Sequence, residues 1–170
     1  MKKRSLFLTA ATVVIAALFA ATLIYAGTEV KEIIELKDPA YKKHKKGVVN
    51  FEHKKHQDDY AQKYPEYYKN KCGECHHDKD NKPLAGLKEG DEVQKCIECH
   101  KIAAEMPKKN VKAMREKKAS KKEIKTKKLE YHAEALHYNC RGCHRLYNKK
   151  YKPKKKAPTT CVKCHPKTKK

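Results

Sequence analysis

All eight cysteines fall into four copies of one five-residue pattern: Cys72-Gly-Glu-Cys75-His76, Cys96-Ile-Glu-Cys99-His100, Cys140-Arg-Gly-Cys143-His144 and Cys161-Val-Lys-Cys164-His165. Thiols three positions apart suit short-loop disulfides or, two motifs at a time, zinc sites. Neither explains the histidines. With His at 10 of 170 positions, chance would put one directly after all four motifs about once in 100,000 sequences, whereas Cys-x-x-Cys-His is the attachment pattern of c-type haem. The two thiols add across the porphyrin vinyl groups and the adjacent imidazole becomes an axial iron ligand. The pattern therefore predicts four covalently bound haem c groups on Cys72, Cys75, Cys96, Cys99, Cys140, Cys143, Cys161 and Cys164, with His76, His100, His144 and His165 as proximal ligands.

Composition makes the same demand from another side. Beyond residue 26, Leu, Ile, Val and Phe supply 18 of 144 residues, or 12.5%. A chain that poor in apolar side chains cannot offset the entropy of folding with a core of its own. Four macrocycles would supply the missing apolar surface, about one per 36 residues, on the principle that buried apolar area drives folding. The expected fold is a small multihaem cytochrome fold, mostly irregular and α-helical with a short N-terminal β-strand or hairpin, wrapped around four haems. The apoprotein is expected to be largely unfolded, as in metal-coupled folding.

Residues 1–26 begin with Lys2, Lys3 and Arg4, continue through an apolar run from Leu6 to Ile24, and end at Ala26 before Gly27. This is the layout of a secretory signal peptide. Its length also allows an uncleaved anchor, since roughly 20 apolar residues span a bilayer. Either form places the rest of the chain in the periplasm or outside the cell. The expected organisation is a signal peptide over 1–26, a polar leader over 27–46 and a tetrahaem domain over 47–170.

Six histidines remain: His44, His53, His56, His77, His132 and His137. Methionine, the distal ligand that raises potential, is represented after residue 26 by Met106 and Met114 alone, so bis-histidine, low-potential haems are expected. His53 and His56, three apart on a helical turn, share a face and can reach two irons from one segment. Adjacent His76 and His77 point to two different irons. His44 reads as a solvent residue.

Three features resemble the class III c-type cytochromes, the low-potential tetrahaem cytochromes of sulfate-reducing bacteria. They are the strand-like Val48-Val49-Asn50-Phe51 leading into His53-Lys54-Lys55-His56, the doubled His76-His77, and a histidine-bearing helix ahead of the third and fourth motifs. The resemblance implies His53 as distal ligand of haem 1, His56 of haem 3 and His77 of haem 2. For haem 4 it leaves His137, which is favoured, and His132. The sequence departs from the family pattern in a longer Gln57–Lys71 link, in two intervening residues in every motif, and in an expanded lysine-rich segment.

Along the chain, Gly47–Phe51 reads as a strand, Asp80–Gly90 as a loop and Asp91–Met106 as a helix carrying the second motif. Pro107 opens a helix expected to run to about Tyr138. Residues 108–128 carry 11 Lys and Arg against two Glu, and residues 145–170 carry 11 against none. The basic tail around the fourth motif is expected to steer acidic redox partners, a hydrogenase or a membrane cytochrome complex by family resemblance, with no nucleic acid involved. A membrane contact is expected only if the N-terminal segment is retained. One-electron transfer rather than enzymatic chemistry is the expected function. A membrane-anchored or assembled haem subunit is the alternative, and a multihaem reductase would need an iron with an open position.

Overall fold

The computed structural model describes residues 30–44 and 46–166. The export segment expected at 1–26 lies outside them. Among the described residues no helix is long and apolar enough to cross a membrane. The described parts of Val30–Lys88 and Val93–Lys170 form one compact unit. Glu89–Glu92 is not part of it and includes a turn with Gly90 at φ 89°.

The compact unit begins with a two-stranded antiparallel sheet, β1 (Ile33–Glu35) on β2 (Asn50–Glu52), in the register Ile33 to Glu52, Ile34 to Phe51 and Glu35 to Asn50. The segment read as a polar leader thus supplies a strand, because Ile33 and Ile34 give it an apolar stretch. β2 leads directly into α1 (His53–Lys55), a π-helical turn (His56–Tyr60) and α2 (Ala61–Lys63). Two 3₁₀ turns follow, Pro65–Tyr67 and Lys71–Glu74. The remaining helices are α3 (Cys96–Cys99), α4 (Lys108–Glu116), α5 (Lys121–Leu129), α6 (His132–Tyr151) and α7 (Cys161–Cys164).

The helix expected over Asp91–Met106 shrinks to the four residues of α3. Beyond His100 the backbone bonds elsewhere: Ile102 N donates to Glu130 O at 3.1 Å, and His132 N donates to Ile102 O at 2.9 Å. The same bridge interrupts the helix expected from Pro107 to about Tyr138, separating α5 from α6 at Glu130 and Tyr131. An earlier break falls at Lys117–Ser120. Lys118 takes a left-handed φ of 58°, and Ser120 opens α5 with a capping box in which Ser120 and Glu123 satisfy each other's backbone N–H groups. Helix α6 then runs through the third motif and ends at Lys152, with φ 44°.

Side chains alone build almost no core. Among the described residues Met106, 6% exposed, is the buried hydrophobic side chain, His132 at 7% is the buried polar one, and none falls below 2%. One local cluster compensates. Tyr64 and Tyr67 of the long link meet Tyr147 and Tyr151 at the end of α6, with Tyr64–Tyr147 centroids 5.0 Å apart and Tyr64–Tyr151 5.1 Å. Lys150 Nζ lies 2.5 Å from Glu66 Oε1, to which the Tyr151 hydroxyl also donates. The inserted link is therefore a tether to α6.

Hydrogen bonds from Lys150 and then Tyr151 hold the Glu66 carboxyl down at about 2. A depressed carboxylate stabilises the fold fully above its ordinary value of 4.5 and loses that contribution as pH falls through about 2. Tyrosine near-ultraviolet dichroism should accordingly hold steady down to pH about 4.5 and weaken below it, and Glu66→Gln should remove that acid limb.

Candidate functional site

Each Cys-x-x-Cys-His motif forms one helical turn. His76 N donates to Cys72 O at 3.0 Å, His100 N to Cys96 O at 2.9 Å and His165 N to Cys161 O at 2.7 Å, while Cys140–His144 lies inside α6. Positions i, i+3 and i+4 of a turn share a face. Both thiols and the imidazole of each motif can therefore address one flat group. None of the eight cysteines pairs with another in a disulfide.

Opposite each motif histidine lies one other histidine. His53 faces His76 with ring centroids 6.3 Å apart, His77 faces His100 at 6.0 Å, His56 faces His144 at 6.2 Å and His137 faces His165 at 6.2 Å. An imidazole nitrogen sits roughly 2.0 Å from a metal ion and about 1.1 Å from its own ring centre, so two imidazoles across one ion have centroids about 6.2 Å apart. The four separations fit that arrangement. Among the described residues no three His, Cys, Asp or Glu side chains converge on one point. Such pairs suit an ion whose other ligands come from a macrocycle, rather than the closed tetrahedral set of structural zinc.

The backbone fixes the tautomer at five of these rings. His56 Nδ1 donates to Glu52 O at 2.8 Å, His77 Nδ1 to Asp78 O at 2.7 Å, His144 Nδ1 to Pro158 O at 2.7 Å and His165 Nδ1 to Gly47 O at 2.9 Å. His100 Nδ1 donates to Leu129 O. A carbonyl only accepts, so Nδ1 carries the proton and Nε2 presents its lone pair, as metal ligation requires. At His137 the Nδ1 partner is Glu105 Oε1, 3.5 Å away. Burial pushes His56, His76 and His137 below the ordinary imidazole range, which favours the neutral ligating form.

The thiols line open but crowded space. Cys75 is exposed by surface area, yet desolvation raises its thiol to about 12, with Cys140, Cys143 and Glu74 adding to the rise. Cys140 is raised to about 11 by burial first, then by Cys164 and Cys96. These neighbour relations bring cysteines of all four motifs towards the same stretch of α6, and Asn139 Nδ2 donates to Cys75 O at 3.2 Å.

Two histidines stay outside the pairs. His132 is buried, its Nδ1 within 3.0 Å of the Tyr41 hydroxyl, so of the two residues considered for the fourth motif it is His137 whose ring faces His165. His44 is half-buried and stacks on Tyr41 with centroids 5.6 Å apart, rather than standing in solvent, because Tyr41 fills the space between His44 and His132.

A family model for the class III cytochrome C family matches residues 30–165. The chain belongs to that family. Covalently bound c-type haem and electron transfer follow from this membership, and the class III match includes β1. No curated relative and no solved structure matches the chain.

Sequence reasoning missed the residues that orient the paired imidazoles. Asn148 clamps the chain after α6, its Nδ2 donating to Ala157 O at 2.9 Å and its Oδ1 accepting from Ala157 N at 2.8 Å. That clamp sets the neighbouring Pro158 carbonyl against His144. Gly47 serves His165 in the same way, and a Cβ there would collide with the Pro166 carbonyl. No short motif marks either position. Asn148→Ala should remove both bonds and leave part-buried backbone groups unpaired, costing about 1–3 kcal/mol. Denaturant titration of the haem-loaded protein checks this, and an unchanged midpoint would remove the clamp from the account.

Proposed function

We propose that this chain is an exported, periplasmic tetrahaem electron carrier with bis-histidine haems at all four motifs. The observation that carries the reading is the set of four ring pairs: His53 with His76, His77 with His100, His56 with His144 and His137 with His165, each at 6.0–6.3 Å. In this reading the polypeptide wraps the macrocycles, which supply the apolar surface that its side chains lack. When bound, haem iron supplies one-electron exchange between its ferric and ferrous states, at low potential under two imidazoles.

The chain's own residues set the order of the sites. His76 and His77 tie the first motif to the second, His53 and His56 tie the first to the third, and His137 and His144 tie the third to the fourth. The last pair lies seven residues apart on α6, about 10.5 Å along one helix. These links support a series running second, first, third, fourth. A second imidazole at each site leaves no open position, which supports a carrier over a reductase.

The fourth motif offers an end to that series. Val162 is 78% exposed, and Lys154, Lys155, Lys156 and Lys163 near it are exposed. An apolar centre among lysines favours docking of an acidic redox protein, such as a hydrogenase or a membrane cytochrome complex, and steers its approach in an ionic-strength-dependent way. Retention of residues 1–26 would make the same protein a membrane-anchored haem subunit.

Replacing His53, His56, His77 or His137 by Met, one at a time, should each time move one haem to higher potential, while His132→Met should leave all potentials in place. Potentiometric titration followed by low-spin haem spectra checks this. A response to His132→Met with none to His137→Met would overturn the assignment at the fourth motif.

A further inference from the structure

Arg141, the first intervening residue of the third motif, carries a positive charge that the described polypeptide does not answer. Its Nε is buried and has no hydrogen-bond partner. Among the described residues no carboxylate lies within ion-pair distance of its guanidinium, and the nearby acids are engaged elsewhere: Glu105 with His137 at 3.5 Å, and Glu134 with Lys128 at 2.8 Å. A buried donor without a partner costs free energy, more so on a charged group. Such a group calls for an anion that is not part of the chain.

The surroundings identify that anion by chemistry. Arg141 lies one turn after His137 on α6, and positions i and i+4 are neighbours on a helix surface. His137 in turn faces His165 with ring centroids 6.2 Å apart, which brings Arg141 beside the fourth motif. Both histidines belong to the fourth site, although Arg141 itself sits in the third motif. A guanidinium is a planar fork matched to a carboxylate, and a haem carries two carboxylates as its propionates. We propose that Arg141 binds a propionate of the haem attached at Cys161 and Cys164, and that this contact holds that haem's potential up. The inference rests on the four-haem reading above.

The sign follows from charge. Reduction adds an electron, and a fixed cation beside the haem stabilises the reduced form while cancelling the propionate's opposing charge. Removing the cation therefore lowers the potential of that one haem.

The test compares wild type, Arg141→Gln and Arg141→Lys as exported holoproteins, with haem stoichiometry established first by denaturing mass spectrometry. In Arg141→Gln the haem that responds to His137→Met should fall by about 59 mV or more, a tenfold change in its one-electron equilibrium. Arg141→Lys, which keeps the charge but not the fork, should recover most of the potential. Redox-difference infrared spectra should show one carboxylate band displaced in both variants. Unchanged potentials and carboxylate bands in a fully loaded Arg141→Gln protein would overturn the proposal, as would a fall confined to another haem. If Arg141→Gln loads poorly, an undisplaced band in Arg141→Lys overturns it instead. Failure of the four-haem reading would show separately, as a wild-type haem count below four.

Discussion

Two imidazoles facing each other across a gap wide enough for one metal ion is the relation on which this structure depends. It occurs four times, and each time it joins segments remote in sequence: β2 and α1 to the first motif, the first motif to the second, the His56 turn to α6, and α6 to the fourth motif. Apolar packing cannot do this work here, because Met106 is the buried hydrophobic side chain among the described residues. Imidazole pairs stand where leucine and valine pack in an ordinary domain. Under the proposed function, folding and cofactor attachment are one process, as in small metal-dependent domains.

The backbone orients these imidazoles in turn. A Cys-x-x-Cys-His turn needs only one helical hydrogen bond, which is why α3 and α7 can be four residues long and still present both thiols and the imidazole on one side. Carbonyls remote in sequence then receive the Nδ1 protons: Leu129, the last residue of α5, for His100, and the loop residues Pro158 and Gly47 for His144 and His165. Such outer contacts fix ring orientation and the basicity of the ligating nitrogen. The loops that supply them look irregular, yet their position is set by specific bonds such as the Asn148 clamp on Ala157.

How much of this could be read from the sequence depends on the range of the interaction. The four Cys-x-x-Cys-His motifs and a short strand just ahead of His53 rest on near neighbours and were legible, although that strand lies at Asn50–Glu52 rather than Gly47–Phe51. The ends of helices were not. Helix α3 stops at His100 because Ile102 bonds to Glu130 and His132, nearly thirty residues away, and no local propensity records that. The same bridge splits α5 from α6. The tyrosines of the Gln57–Lys71 link were visible as an insertion, but their partners Tyr147 and Tyr151 belong to a helix that extends past its expected end. Gly47 and Asn148 act through contacts at long range, and their residue types suggest only turns.

The most direct test of the central claim is the number of haems covalently bound per chain, measured by denaturing mass spectrometry together with a pyridine haemochrome spectrum of the exported protein. Four imidazole pairs beside four Cys-x-x-Cys-His turns predict four haems per chain. A chain bearing none, from a host competent in haem attachment, would return the cysteines to disulfide or zinc chemistry and contradict the account.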